Sequence, residues 1–200
     1  MLPAAKPPTF ADLYRQLCAL PDNVTGEIIA GELVVSPRPA APHAKVGSDA
    51  IQQIGFRYNR KPGGVDGPGG WWILGGPELH LGEEVLVPDI AGWKRETLPA
   101  IPRTAAFTVR PDWVGEVLSP ATSRRDKQEK ARSYHRAGVN WLWLIDPLER
   151  TVEALRRDGE FWVRLGVWAD DEKARIEPFD VVELDLSQWW EGIAPEEPAP

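Results

Sequence analysis

One cysteine, Cys18, is all this chain carries in 200 residues, so no internal disulfide is available. A reducing cytoplasm is the expected setting. Cysteine pairs at zinc-ligand spacing are equally absent. No apolar run approaches the roughly 18 residues needed to span a bilayer, so no membrane partner is expected. The opening MLPAAKPPTF lacks the apolar stretch of a secretory signal. Positive charge is short as well: 23 Lys and Arg against 30 Asp and Glu leave a net charge of −7. That balance argues against coating nucleic acid by bulk electrostatics, but not against an enzyme that touches it through one basic strip. The Gly-rich run 61–70 is neither a Walker loop nor a dinucleotide fingerprint. Ser119 lacks the G-x-S-x-G setting of a hydrolase nucleophile.

What is present suits one domain of ordinary size. At 42% hydrophobic content, the chain can bury roughly two-thirds of its unfolded surface. We place that domain at 9–192, between Pro-rich tails at 1–8 and 193–200 that are expected to be disordered. Ten tryptophans read chiefly as packing. Trp189-Trp190, taken as exposed, would suit the seam of a homodimer. Thr9 caps a helix over 10–17, and two short strands flank a turn at Ala30-Gly31. Positions 46, 50, 51 and 54 give a second helix from His43 to about Asn59. Strands follow at 71–74, 84–87, 90–93 and 113–118, with 78–81 a weaker one and 94–111 a loop with at most a turn of helix. Ser123-x-x-Asp126 opens a helix that Gly138 stops. Trp141–Asp146 is an apolar run suited to a strand covered on both faces, and 151–157 with 161–165 form a hairpin. The whole reads as a mixed α/β layer, with 113–146 as a parallel crossover.

Three residues carry the chemistry. Glu116 lies inside an apolar strand, where an ionised carboxylate is costly unless paired, protonated or bound to metal. Asp89, after Pro88 at a strand edge, is by itself an ordinary turn residue. Together they offer what Mg²⁺ or Mn²⁺ asks of a protein, one or two carboxylates beside waters and phosphate. Lys130 shares a helix face with Asp126 and Tyr134, at steps of four, and can position the attacking water. The plain alternative is a solvated charged helix. Arg124, Arg125 and Lys127 begin the densest basic strip, continued by Arg132 and Arg136, and are the candidate phosphate contacts.

Several stretches together resemble the Uma-two group of restriction endonucleases in the PD-(D/E)XK nuclease-like superfamily. They are Glu27-x-x-x-Gly31-Glu32-Leu33 with Ser36-Pro37 and His43; Pro88-Asp89; Glu116-Val117-Leu118-Ser119-Pro120; Asp126-x-x-x-Lys130-x-x-x-Tyr134; and Trp141-x-Trp143-Leu144-Ile145-Asp146-Pro147. The resemblance implies a restriction-endonuclease-like αβββαβ core with a mixed central sheet, here with an N-terminal helix and hairpin extension. It implies metal-dependent cleavage of nucleic acid, DNA being the expected partner. Asp89 and Glu116 match the acidic positions, with Glu27 and His43 as auxiliary residues alongside Asp126. The superfamily pattern places a lysine two residues after the glutamate. Leu118 stands there, and Lys130 resembles a migrated replacement. A catalytically inactive binding or assembly module with the nuclease fold is the alternative.

Overall fold

Thr9 opens the first helix because its hydroxyl accepts from the Asp12 amide while the Asp12 carboxylate accepts from the Thr9 amide. This reciprocal cap satisfies two amides the helix itself cannot. The computed structural model describes residues 7–64, 67–120 and 125–194. The tails expected at 1–8 and 193–200, the Ser123 cap and Arg124 fall wholly or partly outside these residues. Among them, no helix is long and apolar enough to cross a membrane.

After α1 (Phe10–Leu17) come β1 (Val24–Ile29) and β2 (Glu32–Pro37), joined by a turn. Ala30 and Gly31 both adopt positive φ there, the twist that a two-residue hairpin needs. The long α2 (Ala41–Tyr58) buries Val46, Ala50, Ile54 and Tyr58, one stripe at steps of four. Strands β3 (Trp71–Gly75), β4 (Glu78–Leu81), β5 (Glu84–Leu86), β6 (Ile90–Lys94), β7 (Ala106–Phe107) and β8 (Trp113–Val117) follow. A π-helical turn (Asp126–Lys130) leads into α3 (Ala131–Ala137), which ends at Gly138 in the left-handed region. Then come β9 (Trp141–Asp146), β10 (Thr151–Asp158), β11 (Phe161–Ala169), the short pair β12 (Lys173–Ala174) and β13 (Leu184–Asp185), and α4 (Ser187–Trp190).

Two main sheets result. One has the order β2-β1-β5-β4-β7, and the other β11-β10-β9-β8-β6-β3. In the second, α2, β3, β6, β8, α3 and β9 reproduce the αβββαβ succession, with β8 and β9 parallel and the remaining pairs antiparallel. The fold is therefore mixed α/β with mixed sheets, as expected. The chain passes from the first sheet to the second at Val87-Pro88-Asp89, between β5 and β6.

One face of the six-stranded sheet is covered by α2 and the C-terminal segment. Phe179 sits edge-on to Tyr58, Trp71, Trp113 and Trp143, with ring centroids 4.7–5.6 Å away. Gly92 permits this crowding, since a Cβ there would stand 3.1–3.3 Å from Ile73, Trp113 and Trp71. The other face packs α3 and residues of the five-stranded sheet around Trp93, Leu142 and Leu144.

The structure departs from the sequence reading in three places. Within 94–111 the chain forms a two-residue strand, β7, parallel to β4, and not a turn of helix. The segment from Asp126 begins as a π turn, not a regular α-helix; both Asp126 and Lys130 are drawn inward, and such turns recur where a helix must aim side chains at a site. Trp189 and Trp190 are buried, not exposed. Lys45 on α2 donates to the Gln188 and Trp189 carbonyls, and the Trp190 indole donates to the Asp170 carbonyl. The seam that would have argued for a homodimer is interior packing.

Candidate active site

The crossing between the sheets is pinned from three sides. The Val87 amide donates to Glu27 Oε1 at 2.8 Å, and the Val87 carbonyl accepts from Lys130 Nζ at 3.3 Å. Two residues on, Asp89 Oδ2 accepts from the Val117 amide at 2.7 Å and pairs with His43 Nε2 at 3.2 Å. The Pro-Asp step thus sets Asp89 beside the end of β8, while the start of α2 supplies His43. Strand alternation separates β8 into two functions. Val117 packs with the tryptophan face, while Glu116 turns to the other, between Val114 and Leu118.

Glu116 is only 1% exposed. Its Oε1 accepts from the Tyr134 hydroxyl at 2.5 Å and from Lys130 Nζ at 2.8 Å. Lys130 also reaches Glu27 Oε1 at 3.1 Å, with Asp126 at 3.9 Å. The ammonium thus pairs with two carboxylates and donates to the Val87 carbonyl. The shared face of Asp126, Lys130 and Tyr134 read from the sequence is real, and it points inward.

Four carboxylates (Glu27, Asp89, Glu116 and Asp126) act on this single ammonium. Burial alone would pull Lys130 down, but Glu116, Glu27, Asp126 and Asp89 together hold it above its usual range, so it stays charged. For Glu116, burial pushes the carboxyl well above the ordinary range. Lys130 pulls it back, and Asp89, Asp126 and Glu27 push it up again. Burial and then Glu116 raise Tyr134 well above a free phenol, which keeps it a donor. Burial lowers His43, but its bond to Asp89 and the Asp89 charge outweigh this and leave it raised.

The residues fit a hard divalent cation. Oε1 of Glu116 takes both of its contacts, leaving Oε2 without a partner among the described residues, and Oδ1 of Asp89 is in the same position. The cluster also holds more carboxylates than cations, an imbalance that a bound dication would offset. Among the described residues, no three His, Cys, Asp or Glu side chains form a ready-made metal cage. Mg²⁺ does not demand one, since it keeps several waters and takes one or two carboxylates.

Asp89, Glu116, Lys130, Glu27, His43 and Asp126 all line one cleft of about 320 Å³ between hairpin β1–β2 and the start of α2. Arg125 lines it too and donates to Ser36 Oγ. Lys127 is exposed and lies outside that lining. The basic strip is not continuous, because Lys130 is buried and Arg136 turns to Glu84. Arg38 and the Val87 backbone were not singled out from sequence. Arg38 follows Ser36-Pro37, the only local signal that could have drawn attention to it. A larger hollow of about 900 Å³ lies between α1 and α3. There Glu84 ties Ala30, Ser133 and Arg136 together, a structural clip with no ion-binding pair.

Comparisons with known proteins fit this geometry. The Uma2 family model, described as "Putative restriction endonuclease", matches residues 11–187. A solved structure from Anabaena variabilis ATCC 29413, described as a putative nuclease belonging to DUF820, superposes with a TM-score of 0.73. That match covers 92% of this chain and 98% of the other at 22% identity, and so shows a shared fold. No curated protein matches the chain.

Proposed function

From the premise that the chain belongs to the Uma2 family of restriction-endonuclease-like proteins, we propose that it is a divalent-metal-dependent nuclease that hydrolyses phosphodiester bonds. The observation that carries this reading is Glu116: a buried strand carboxylate, clamped through one oxygen by Lys130 and Tyr134, next to Asp89 in a single cleft. Glu116 Oε2 and Asp89 Oδ1 would hold Mg²⁺ or Mn²⁺. The ion, when bound, would lower the pKa of a water and offset charge on the phosphate.

The chain's own residues do the rest. Lys130 offsets part of the cluster's negative charge and restrains Glu116 through a buried ion pair. It stays protonated and is paired with Glu116 and Glu27, so it is a positioning cation and not a base. Tyr134 holds the same oxygen from the helix side. His43 restrains Asp89 and opens onto the cleft, where it can pass a proton. Hydrolysis forms a bond from the water oxygen to phosphorus and breaks the bond to the leaving strand. The proton lost by water balances the one the leaving oxygen gains.

The test is cleavage of labelled oligonucleotides by the purified chain in Mg²⁺ or Mn²⁺, beside Glu116→Gln and Asp89→Asn. Each variant is expected to lose about 10²–10³-fold in rate. Equal activity in all three would sink the reading. One observation favours a second reading, a binding module that has lost catalysis: Leu118 stands two residues after Glu116, where the superfamily pattern places a lysine. Calorimetry with Mn²⁺ separates the two, because such a module should show no heat that depends on Asp89.

A further inference from the structure

We propose that the cleft admits a single-stranded stretch of nucleic acid and excludes an intact duplex. This rests on the nuclease reading for its chemistry but on the shape and charge of the cleft for its argument. Most of the groups around the site lie deep: Glu116 is 1% exposed, Lys130 3%, Asp126 4% and Glu27 6%, while the Asp89 side chain keeps 27% exposure toward the cleft. The cleft above them measures about 320 Å³, at the lower end of the roughly 300–1,000 Å³ that small-ligand pockets occupy. That is room for about one nucleotide, with Ser36, Pro37 and Ala40 among the lining. Seating a phosphate of a B-form duplex in such a slot takes a local bend or kink, at a cost in deformation energy that a single strand does not meet. A single strand can lower one unstacked nucleotide while its neighbours stay on the rim.

Charge points the same way. Tight duplex binding comes from many phosphate contacts made by Lys and Arg. Among the described residues lining the cleft, the cations besides the engaged Lys130 are Arg38 and Arg125. Both are seated on the hairpin wall: Arg38 donates to the Asp22 carbonyl at 2.5 Å and Arg125 to Ser36 Oγ at 3.2 Å. Each guanidinium keeps further N–H groups in its fork, enough to hold the phosphates on either side of the one in the slot. Two such contacts suit a short flexible strand. The chain's net charge of −7 gives no wider field for a rod.

Fluorescence anisotropy tests this with the full chain in EDTA, which prevents metal-dependent cleavage. The probes are a labelled 12-nucleotide single strand and its duplex, each in deoxy and ribo form. The single strand should bind at least ~10-fold tighter, with a log K against log salt slope of about −1.4 for two phosphates. Arg38→Ala and Arg125→Ala should each make that slope shallower by about 0.7, and Arg38→Lys should keep it. Equal or tighter duplex binding, a slope near about −5 as for six duplex phosphates, or binding of neither probe overturns the inference. The same strands are then offered with Mg²⁺. A chain that selects the single strand but cuts nothing loses the nuclease reading while the cleft's selectivity stands. Whichever sugar binds tighter identifies the strand as DNA or RNA.

Discussion

The two faces of the six-stranded sheet solve opposite problems with the same strands. On the α2 side, Trp113, Trp143, Phe179 and Trp189 are fully buried in an aromatic core. On the α3 side the apolar packing is interrupted by Glu116, Lys130 and Tyr134, also fully or almost fully buried. Glu116 and Val117 are neighbours in sequence and lie in different environments. The first face contributes stability by removing apolar area from water. The second carries a charge cluster whose desolvation is offset only while its partners are in place. The lesson is that stability and chemistry are separated by a single pleat, with the α2 core holding rigid the strand that presents Glu116.

The strongest challenge to that division is a matched pair of truncations. Lys130→Ala strips the only ammonium from four carboxylates and should cost about 3–5 kcal/mol in urea unfolding. Trp143→Ala should cost about 3–5 kcal/mol through a cavity. The two differ in their response to Mg²⁺. Ligand binding raises the unfolding midpoint, and that rise should be unchanged in Trp143→Ala and altered in Lys130→Ala. An altered metal response in both would mean the faces are not independent.

A smaller effect sharpens the contrast inside the site. Glu116→Gln keeps the shape and leaves Lys130 paired with Glu27, so its stability should stay within about 1 kcal/mol of the parent. Its midpoint should nevertheless gain little from Mg²⁺. Stability loss as large as that of Lys130→Ala would make Glu116 a structural anchor and not a ligand.

The finest probe compares two buried tyrosines, one on each face. Tyr134→Phe removes a hydrogen bond to a carboxylate and should cost about 1.5–3 kcal/mol, with a loss of cleavage. Tyr58→Phe removes a bond to the Phe179 carbonyl and should cost about 1 kcal/mol, with cleavage intact. Burial pushes the Tyr58 hydroxyl up to about 12. The parent chain therefore loses stability as pH rises from the free-phenol value of about 10 toward 12, because the unfolded chain ionises first. Tyr58→Phe should flatten that alkaline limb, as followed by circular dichroism.

Much of the fold was legible locally. The Thr9 cap, the Ala30-Gly31 turn, the α2 stripe and the Gly138 stop each depend on residues within a few positions. Glu116 was legible as well, because a carboxylate in an apolar strand conflicts with its surroundings wherever that strand lies. The π turn at Asp126–Lys130 was not, since the Glu27 and Glu116 with which its Lys130 pairs come from distant strands. The burial of Trp189-Trp190 depends on Lys45 and Gln53, more than 130 residues earlier. Arg38 could not be placed on a cleft before the hairpin had paired with β5 and come to face Asp89 and Glu116.

By itself, then, the sequence determined most of the helices and strands, the inward stripe of α2, and that Glu116 must find partners. Periodicity and the cost of burying charge act along the chain and need no knowledge of its path. The tertiary structure alone decided who those partners are. It brought Glu27 from one sheet, Asp89 from the crossing and Lys130 from the helix into one cleft with Glu116. It also paired Lys130, the stand-in for the lysine whose place in the motif Leu118 occupies, with two carboxylates at once. Electrostatic pairing acts over a few ångströms of space and is indifferent to separation in sequence.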